Sequence, residues 1–233
     1  FSKPIDISTK TEPFHLPLLV FSRPDIAASG NSVLVAWQQE VSTGNTTAIF
    51  LSKSTDGGNN FSKPIDISNN TKYALNPRLA ISGNNRYAAW ERSYEANPII
   101  KPDIFLSKST DGGNNFSKPI DISNNTRSYE PTIATSGNSV LVAWQQVPDT
   151  TKNTTAIFLS KSTDGGNNFS KPVDISNNTQ NPINPSLAVY GNNVLVAWIS
   201  TSGSNVDVFI TKSTDGGNNF SKPVDISLLG FQK

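Results

Sequence analysis

A fifteen-residue segment, Ser-Thr-Asp-Gly-Gly-Asn-Asn-Phe-Ser-Lys-Pro-(Ile/Val)-Asp-Ile-Ser, occurs four times in this chain, beginning at Ser54, Ser109, Ser162 and Ser213. Its aspartates, Asp56, Asp111, Asp164 and Asp215, lie 55, 53 and 51 residues apart. A truncated fifth copy opens the sequence at Phe1. A period of that size with strand-like content marks one supersecondary unit repeated in an array. The 233 residues therefore read as a single repeat domain, not as one or two ordinary domains.

Each unit reads as four short strands. The first follows a proline, as in Asp25–Ser29, Arg78–Ser82, Thr132–Ser136 and Ser186–Tyr190. A Gly-Asn turn follows, a dipeptide that accepts the positive φ of a tight hairpin. The second strand is Val33–Trp37 and its counterparts ending at Trp90, Trp144 and Trp198; the third is Ala48–Lys53 and its equivalents. The Ser-Thr-Asp-Gly-Gly-Asn-Asn turn leads into a fourth strand, Phe-Ser-Lys-Pro-Ile-Asp-Ile-Ser. Its proline suits an edge strand, because it cannot donate to a ladder. No segment carries a helical period. These elements predict an all-β protein of four blades, spanning about 24–68, 77–123, 131–176 and 185–227, that closes a small toroid.

Composition narrows the function. Formal charge is balanced at +1 and no basic stripe argues for nucleic acid. No apolar run approaches the roughly 20 residues of a membrane span. Cysteine is absent and His15 is the sole histidine, which leaves thiolate chemistry, a histidine metal site and a catalytic triad without residues. No metal or other cofactor is called for. The chain opens on Phe1 and reads as a processed or excised segment. Nine Asn-X-Ser/Thr sequons occur. Four, at Asn60, Asn115, Asn168 and Asn219, belong to the repeated turn and are poorly placed for modification. Asn45, Asn69, Asn124, Asn153 and Asn177 are the candidate glycosylation sites. Low charge, no cysteine and many sequons point to a secreted or cell-surface protein.

The repeated turn resembles the Asp box, Ser-X-Asp-X-Gly-X-X-Phe/Trp, also called the BNR repeat, of sialidases and related β-propellers. All four copies match every fixed position: Ser54, Asp56, Gly58 and Phe61; Ser109, Asp111, Gly113 and Phe116; Ser162, Asp164, Gly166 and Phe169; Ser213, Asp215, Gly217 and Phe220. The resemblance implies that these residues are structural. The box joins the third strand to the fourth, Asp and Ser bond the turn's own backbone, and the aromatic ring packs beneath. A short carboxylate capping nearby N–H groups, beside a glycine with positive φ, is consistent chemistry. The rival use, a metal site, has one carboxylate per box, too few for a hard cation.

Spacing within the units locates a working face. Proline to strand-two tryptophan is always 13 residues, strand-three Phe to box Asp always 6, and box Asp to strand-four Asp always 10. The second-to-third loop instead varies, with Trp-to-Phe spacings of 13, 15, 14 and 11. The link from strand-four Asp to the next proline also varies: 18, 11, 10 and 11. In a blade of alternating strands the constant turns share one face and the variable loops the other. Binding function usually sits in variable loops on a rigid scaffold. Arg23, Arg92, Tyr94, Glu95, Arg127, Tyr129 and Glu130 are therefore the candidate binding residues, facing a glycan or protein ligand. The four tryptophans occupy one register of one strand, which places them between blades rather than in a stacking site.

Two functional readings follow. One is a non-enzymatic surface module for adhesion, glycan or protein binding, or envelope and filament structure; near-identical blades suit a scaffold better than an asymmetric pocket. The other is a sialidase-like exo-glycoside hydrolase. That resemblance implies three arginines around a substrate carboxylate, an acid/base aspartate and a tyrosine–glutamate nucleophile pair. Arg23, Arg92 and Arg127 with Tyr94-Glu95 or Tyr129-Glu130 are the residues here that could fill such roles. Against it, sialidase propellers have six blades, and Ser22-Arg23-Pro24 only loosely matches the family's Arg-Ile-Pro. Finally, residues 1–8 are an orphan strand of the fourth type. An unpaired strand is a template for strand addition, giving a route to self-association.

Overall fold

In the computed structural model, residues 4–8, 23–42, 46–69, 71, 73–93, 101–149, 151, 154–202 and 205–227 are described. They form four four-stranded antiparallel sheets and, among the described residues, no helix, hence none long and apolar enough to cross a membrane. The first sheet is β1 (Asp25–Ser29), β2 (Ser32–Ser42), β3 (Thr46–Ser54) and β4 (Ile65–Asp66). The second is β5 (Ala74–Ser82), β6 (Asn85–Arg92), β7 (Asp103–Ser109) and β8 (Ile120–Asp121). The third is β9 (Ser128–Ser136), β10 (Ser139–Asp149), β11 (Thr154–Ser162) and β12 (Val173–Asp174). The fourth is β13 (Pro182–Tyr190), β14 (Asn193–Ser202), β15 (Asn205–Ser213) and β16 (Val224–Asp225). Each is a simple meander in chain order. This is an all-β, four-bladed β-propeller architecture.

Two elements depart from expectation. The fourth strand is only two ladder residues long, not eight. Pro64 and its equivalents interrupt the backbone ladder, which keeps isolated bonds from Ser62 N to Lys53 O (2.8 Å) and Ile67 N to Ile49 O (2.9 Å), and serine hydroxyls supplement it. Ser52 Oγ donates to the Ser62 carbonyl at 2.7 Å, and Lys53 N donates to Ser62 Oγ at 3.1 Å. The inner strands β5, β9 and β13 run the other way: they extend through the proline that was expected to start them. The residue before that proline, Asn76, Glu130 or Asn184, takes φ of 53°, 49° or 52°. The sheet register shifts at the same points in β5 and β13, and beside Glu130 in β9, so a bulge absorbs the proline.

Alternation along β2 and its counterparts gives each blade two apolar faces. One carries Val140, Val142 and Trp144 in the third blade; the other carries Leu141, Ala143, Ile157, Leu159 and Ile175. The tryptophan face of each blade packs on the leucine face of the blade before it. Four blades give three such cores, between first and second, second and third, and third and fourth. No fourth core joins the last blade to the first among the described residues, so the described blades form an open arc and do not by themselves close the expected small toroid. Residues 4–8 belong to none of the sheets. Ser8 still donates to Asp6 Oδ1 through both N (3.0 Å) and Oγ (2.7 Å), the same local turn that ends every fourth strand. Phe1 to Lys3, the start of the expected orphan strand, lies outside the described residues.

The same side chain therefore has different weight in different blades. Leu141 is 1% exposed, whereas Leu195, at the same register of the last blade, is 38% exposed. Leu141→Ala should cost roughly 2–5 kcal/mol of stability. Leu195→Ala in dilute solution should cost under about 1 kcal/mol. Urea unfolding monitored by tryptophan fluorescence measures both, and equal losses would contradict the open arc.

Candidate functional site

The repeated turn is the more regular of two polar constellations. Ser54 Oγ donates to Asp56 Oδ1 at 2.7 Å and accepts from Gly58 N at 2.9 Å. Asp56 Oδ1 then takes the N–H groups of Asn59 (3.0 Å) and Asn60 (2.9 Å), while Asn60 Nδ2 reaches Asp56 Oδ2 at 2.7 Å. The other three copies repeat this pattern. Gly57 and Gly58 take φ of 76° and 92°, which only glycine adopts without strain. Phe116, Phe169 and Phe220 pack against the three interblade cores.

So many donors hold the charged form. The Asn60 N–H, the Asn60 amide and the Ser54 hydroxyl lower the Asp56 carboxyl to about 2. Asp111, Asp164 and Asp215 are likewise well below the ordinary range, Asp111 and Asp215 chiefly through their serine hydroxyls and Asp164 chiefly through the Asn168 N–H. A lowered folded value means stability that is present above the unfolded value near 3.8 and lost as pH falls. Asp111→Ala should therefore lower the melting temperature at pH 7. The gap to the parent chain should narrow as pH drops below about 4, where the unfolded chain's carboxylate takes up a proton that the folded carboxylate still refuses. Calorimetry over a pH series checks this, and a pH-independent gap would count against the hydrogen-bonded carboxylate as its source.

The second constellation lies at the opposite end of the strands, on the variable-loop side of the inner rim. Arg23, just before β1, donates to Glu130 of β9 through Nη1, at 3.1 Å to Oε1 and 3.0 Å to Oε2. Arg78 of β5 places Nη2 3.9 Å from the same carboxylate. Asn76 Nδ2 lies 3.3 Å from Glu91 Oε2 and 3.4 Å from Glu130 Oε1, and Asn76 N donates to Gln38 Oε1 at 3.1 Å. Glu130 N also reaches Glu91 Oε2, at 3.4 Å. The first three blades thus meet in one polar cluster.

Glu91 is its most perturbed member. It is 6% exposed, and burial pushes its carboxyl up to about 7, against the pull of the Glu130 N–H and the Asn76 amide and with the charge of Glu130 adding to the rise. Burial also raises the Tyr129 phenol, with Arg127 opposing and Glu91 adding to the rise. Glu130 sits in the left-handed region, where non-glycine residues other than Asn and Asp are uncommon. Such backbone strain concentrates at sites where surrounding contacts over-determine the geometry.

The remaining sequence candidates separate from this cluster. Arg92 pairs with Asp103 at 2.6 Å and lies 4.3 Å from the Phe105 ring centroid. Burial raises Asp103, with Arg92 opposing. Arg127, just before β9, and Tyr129 of β9 stand half-buried beside the cluster. Tyr94 and Glu95 lie outside the described residues, as do Asn45 and Asn153. Asn69, Asn124 and Asn177 are exposed, with φ of 50°, 63° and 47°. The side-chain amide of Asn60, a turn sequon, is engaged by Asp56. No group of three or more His, Asp or Glu suited to hold a metal occurs among the described residues.

Arg78, Asn76 and Gln38 were not among the sequence candidates, and Glu91 immediately precedes one of them, Arg92. The signal existed in the register after the strand-two tryptophan, where Gln38, Glu91, Gln145 and Ile199 correspond. A carboxylate stands there in one blade alone. Arg78 lies within β5, yet the bulge before it brings its guanidinium within reach of Glu130.

This geometry has relatives among solved structures. The chain is similar to a sialidase from Trypanosoma rangeli, with a TM-score of 0.62 and 12% identity, over 88% of this chain and 38% of that one. It is similar to a Hadza microbial sialidase, with a TM-score of 0.60 and 15% identity, over 85% of this chain and 45% of that one. A Dyadobacter fermentans protein of unknown function gives a TM-score of 0.67 and 16% identity, over 91% of this chain and 69% of that one. No protein-family profile matches the chain, and no curated protein does. The fold is sialidase-like, and the chain spans less than half the length of these sialidases.

A raised carboxyl makes stability fall with pH. Glu91 binds a proton more tightly folded than unfolded, so its contribution is full below its ordinary value of 4.5 and is lost as pH rises through about 7. Glu91→Gln should therefore gain stability relative to the parent at pH 8, by roughly 2–3 kcal/mol, and little at pH 4. Denaturant melts at the two pH values check this, and a gain at pH 4 alone would reverse the assignment.

Proposed function

We propose that this chain is a non-enzymatic β-propeller module of an extracellular or cell-surface protein, used for adhesion, glycan or protein binding, or envelope and filament structure. In this reading the four turns are Asp boxes and serve the scaffold. The observation that carries it is the internal pairing of three arginines, Arg23, Arg78 and Arg92, with the chain's own carboxylates. Arg23 and Arg78 are engaged by Glu130, Arg92 is engaged by Asp103, and Arg86 bonds Gly83 O and Ser32 Oγ at the opposite end of the strands. A substrate carboxylate would have to compete with Glu130, both of whose oxygens already accept from Arg23 Nη1. Exposed Asn69, Asn124 and Asn177 support a surface location, with glycans attached on the variable-loop side.

A second reading, exo-glycoside hydrolysis, is favoured by one group. Glu91 keeps its proton to about pH 7 beside Tyr129, as a general acid would. A fluorogenic sialoside assay on the purified chain separates the two. No release above buffer is expected, from the parent or from Arg23→Ala. Turnover by the parent that Glu91→Gln or Arg23→Ala abolishes would overturn the non-enzymatic reading.

A further inference from the structure

The first and last blades each present a face that every internal blade buries. In the fourth blade Leu195 and Ile226 are each 38% exposed, and Val208 and Ile210 are half-exposed. Their equivalents in the third blade, Leu141, Ile175, Ile157 and Leu159, are buried beneath the fourth blade. In the first blade Val33 and Val35 are half-exposed, whereas Val140 and Val142, at the same registers of the third blade, are sealed against the second. Val33, Val35, Trp37, Phe50 and Phe61 match Val140, Val142, Trp144, Phe158 and Phe169 residue for residue.

A polar latch accompanies each internal interface and is open at both ends of the arc. Lys53 Nζ donates to Asn114 Oδ1 of the next blade's turn at 2.6 Å. Lys108 does so to Asn167 at 2.5 Å, and Lys161 to Asn218. Lys212, the fourth blade's equivalent, is exposed and has no such acceptor among the described residues. Asn59, the first blade's equivalent acceptor, receives no lysine among them. The turn glycines tell the same story. A methyl added at Gly166 or Gly217 would meet the preceding blade's Tyr87 or Leu141 at 3.1 Å, and at Gly113 it would meet Leu34 at 3.6 Å. At Gly58 it would meet nothing within 4 Å.

We infer that the fourth-blade face of one chain binds the first-blade face of a second copy, head to tail, with Lys212 latching onto Asn59. The occupant is identified by continuity: the two free faces are the two halves of an interface the chain already makes three times. This contact is heterologous, since different patches meet, and it propagates unless rotation closes it. It stands on the blade faces and is independent of whether the polar cluster is catalytic.

The purified 233-residue chain tests it. Sedimentation velocity over a concentration series is expected to show mass growing beyond one chain. Leu195→Asp and Val35→Asp are each expected to abolish that growth. An equal mixture of the two variants should recover a two-chain species that grows no further, because each supplies the face the other lacks. A chain monomeric at every concentration overturns the proposal. So do oligomers indifferent to both substitutions, and so does a mixture that does not recover. Val35 lies in a central strand, so a second measurement avoids it. The parent chain has no cysteine, and a short dithiol-reactive cross-linker should join Lys212→Cys chains to Asn59→Cys chains while joining neither variant to itself. Absence of that mixed product overturns the proposal independently of folding at Val35.

Discussion

Everything in this molecule depends on one apolar contact, the tryptophan face of a blade set on the leucine–alanine face of the blade before it. A four-stranded sheet with alternating residues has two faces, and here both are apolar. Neither face can be buried within the blade, so the unit is stable only as part of a stack. Burying one large apolar side chain is worth roughly 1.5–3 kcal/mol, and each interface gathers eight or more buried hydrophobic residues. The hydrogen-bonded turns contribute differently. They fix where the third strand ends and hold the polar fourth segment against it, so the alternation on β3 and its equivalents stays in phase with β2.

The repeat made most of this legible before any coordinates. Period-2 alternation in Val33–Trp37, the glycine pairs of the turns and the constant spacings all recur, and recurrence separates a structural rule from chance. What stayed hidden lies where local rules compete. Proline reads as a strand start, yet β5, β9 and β13 carry it inside by adding a bulge residue at positive φ. Proline also reads as tolerable in an edge strand, yet the ladder there shrinks to Ile65–Asp66, flanked by single backbone bonds from Ser62 N and Ile67 N and supplemented by serine hydroxyls. Ring closure depends on the angle between blades, a tertiary quantity with no sequence period.

The polar cluster was half visible for a related reason. Arg23 and Glu130 are 107 residues apart, and only the stacking of three inner strands brings them together. Glu91 needed an alignment of blades against each other, with Gln38 and Gln145 as its background. The same alignment explains two isolated indoles. Trp37 and Trp144 donate Nε1 to Gln39 and Gln146, each at 3.1 Å. Arg92 and Ser200 replace that glutamine in the second and fourth blades, and Trp90 Nε1 and Trp198 Nε1 are left without an acceptor. Departures from the repeat are therefore where individual chemistry resides.

Near-identical faces also pose a problem of address. A folding blade would gain similar apolar burial on almost any other blade, so burial alone cannot tell the second blade that it belongs after the first. The departures supply that information. Asp25, which stands where the other blades have Arg78, Thr132 and Ser186, accepts Leu79 N at 2.6 Å. Arg86, in a register otherwise held by valine, bonds Ser32 at 3.1 Å. Together with Arg23 and Glu130 they mark the first, second and third blades as successive. A handful of polar pairs thus acts as a page order for sheets that would otherwise be interchangeable.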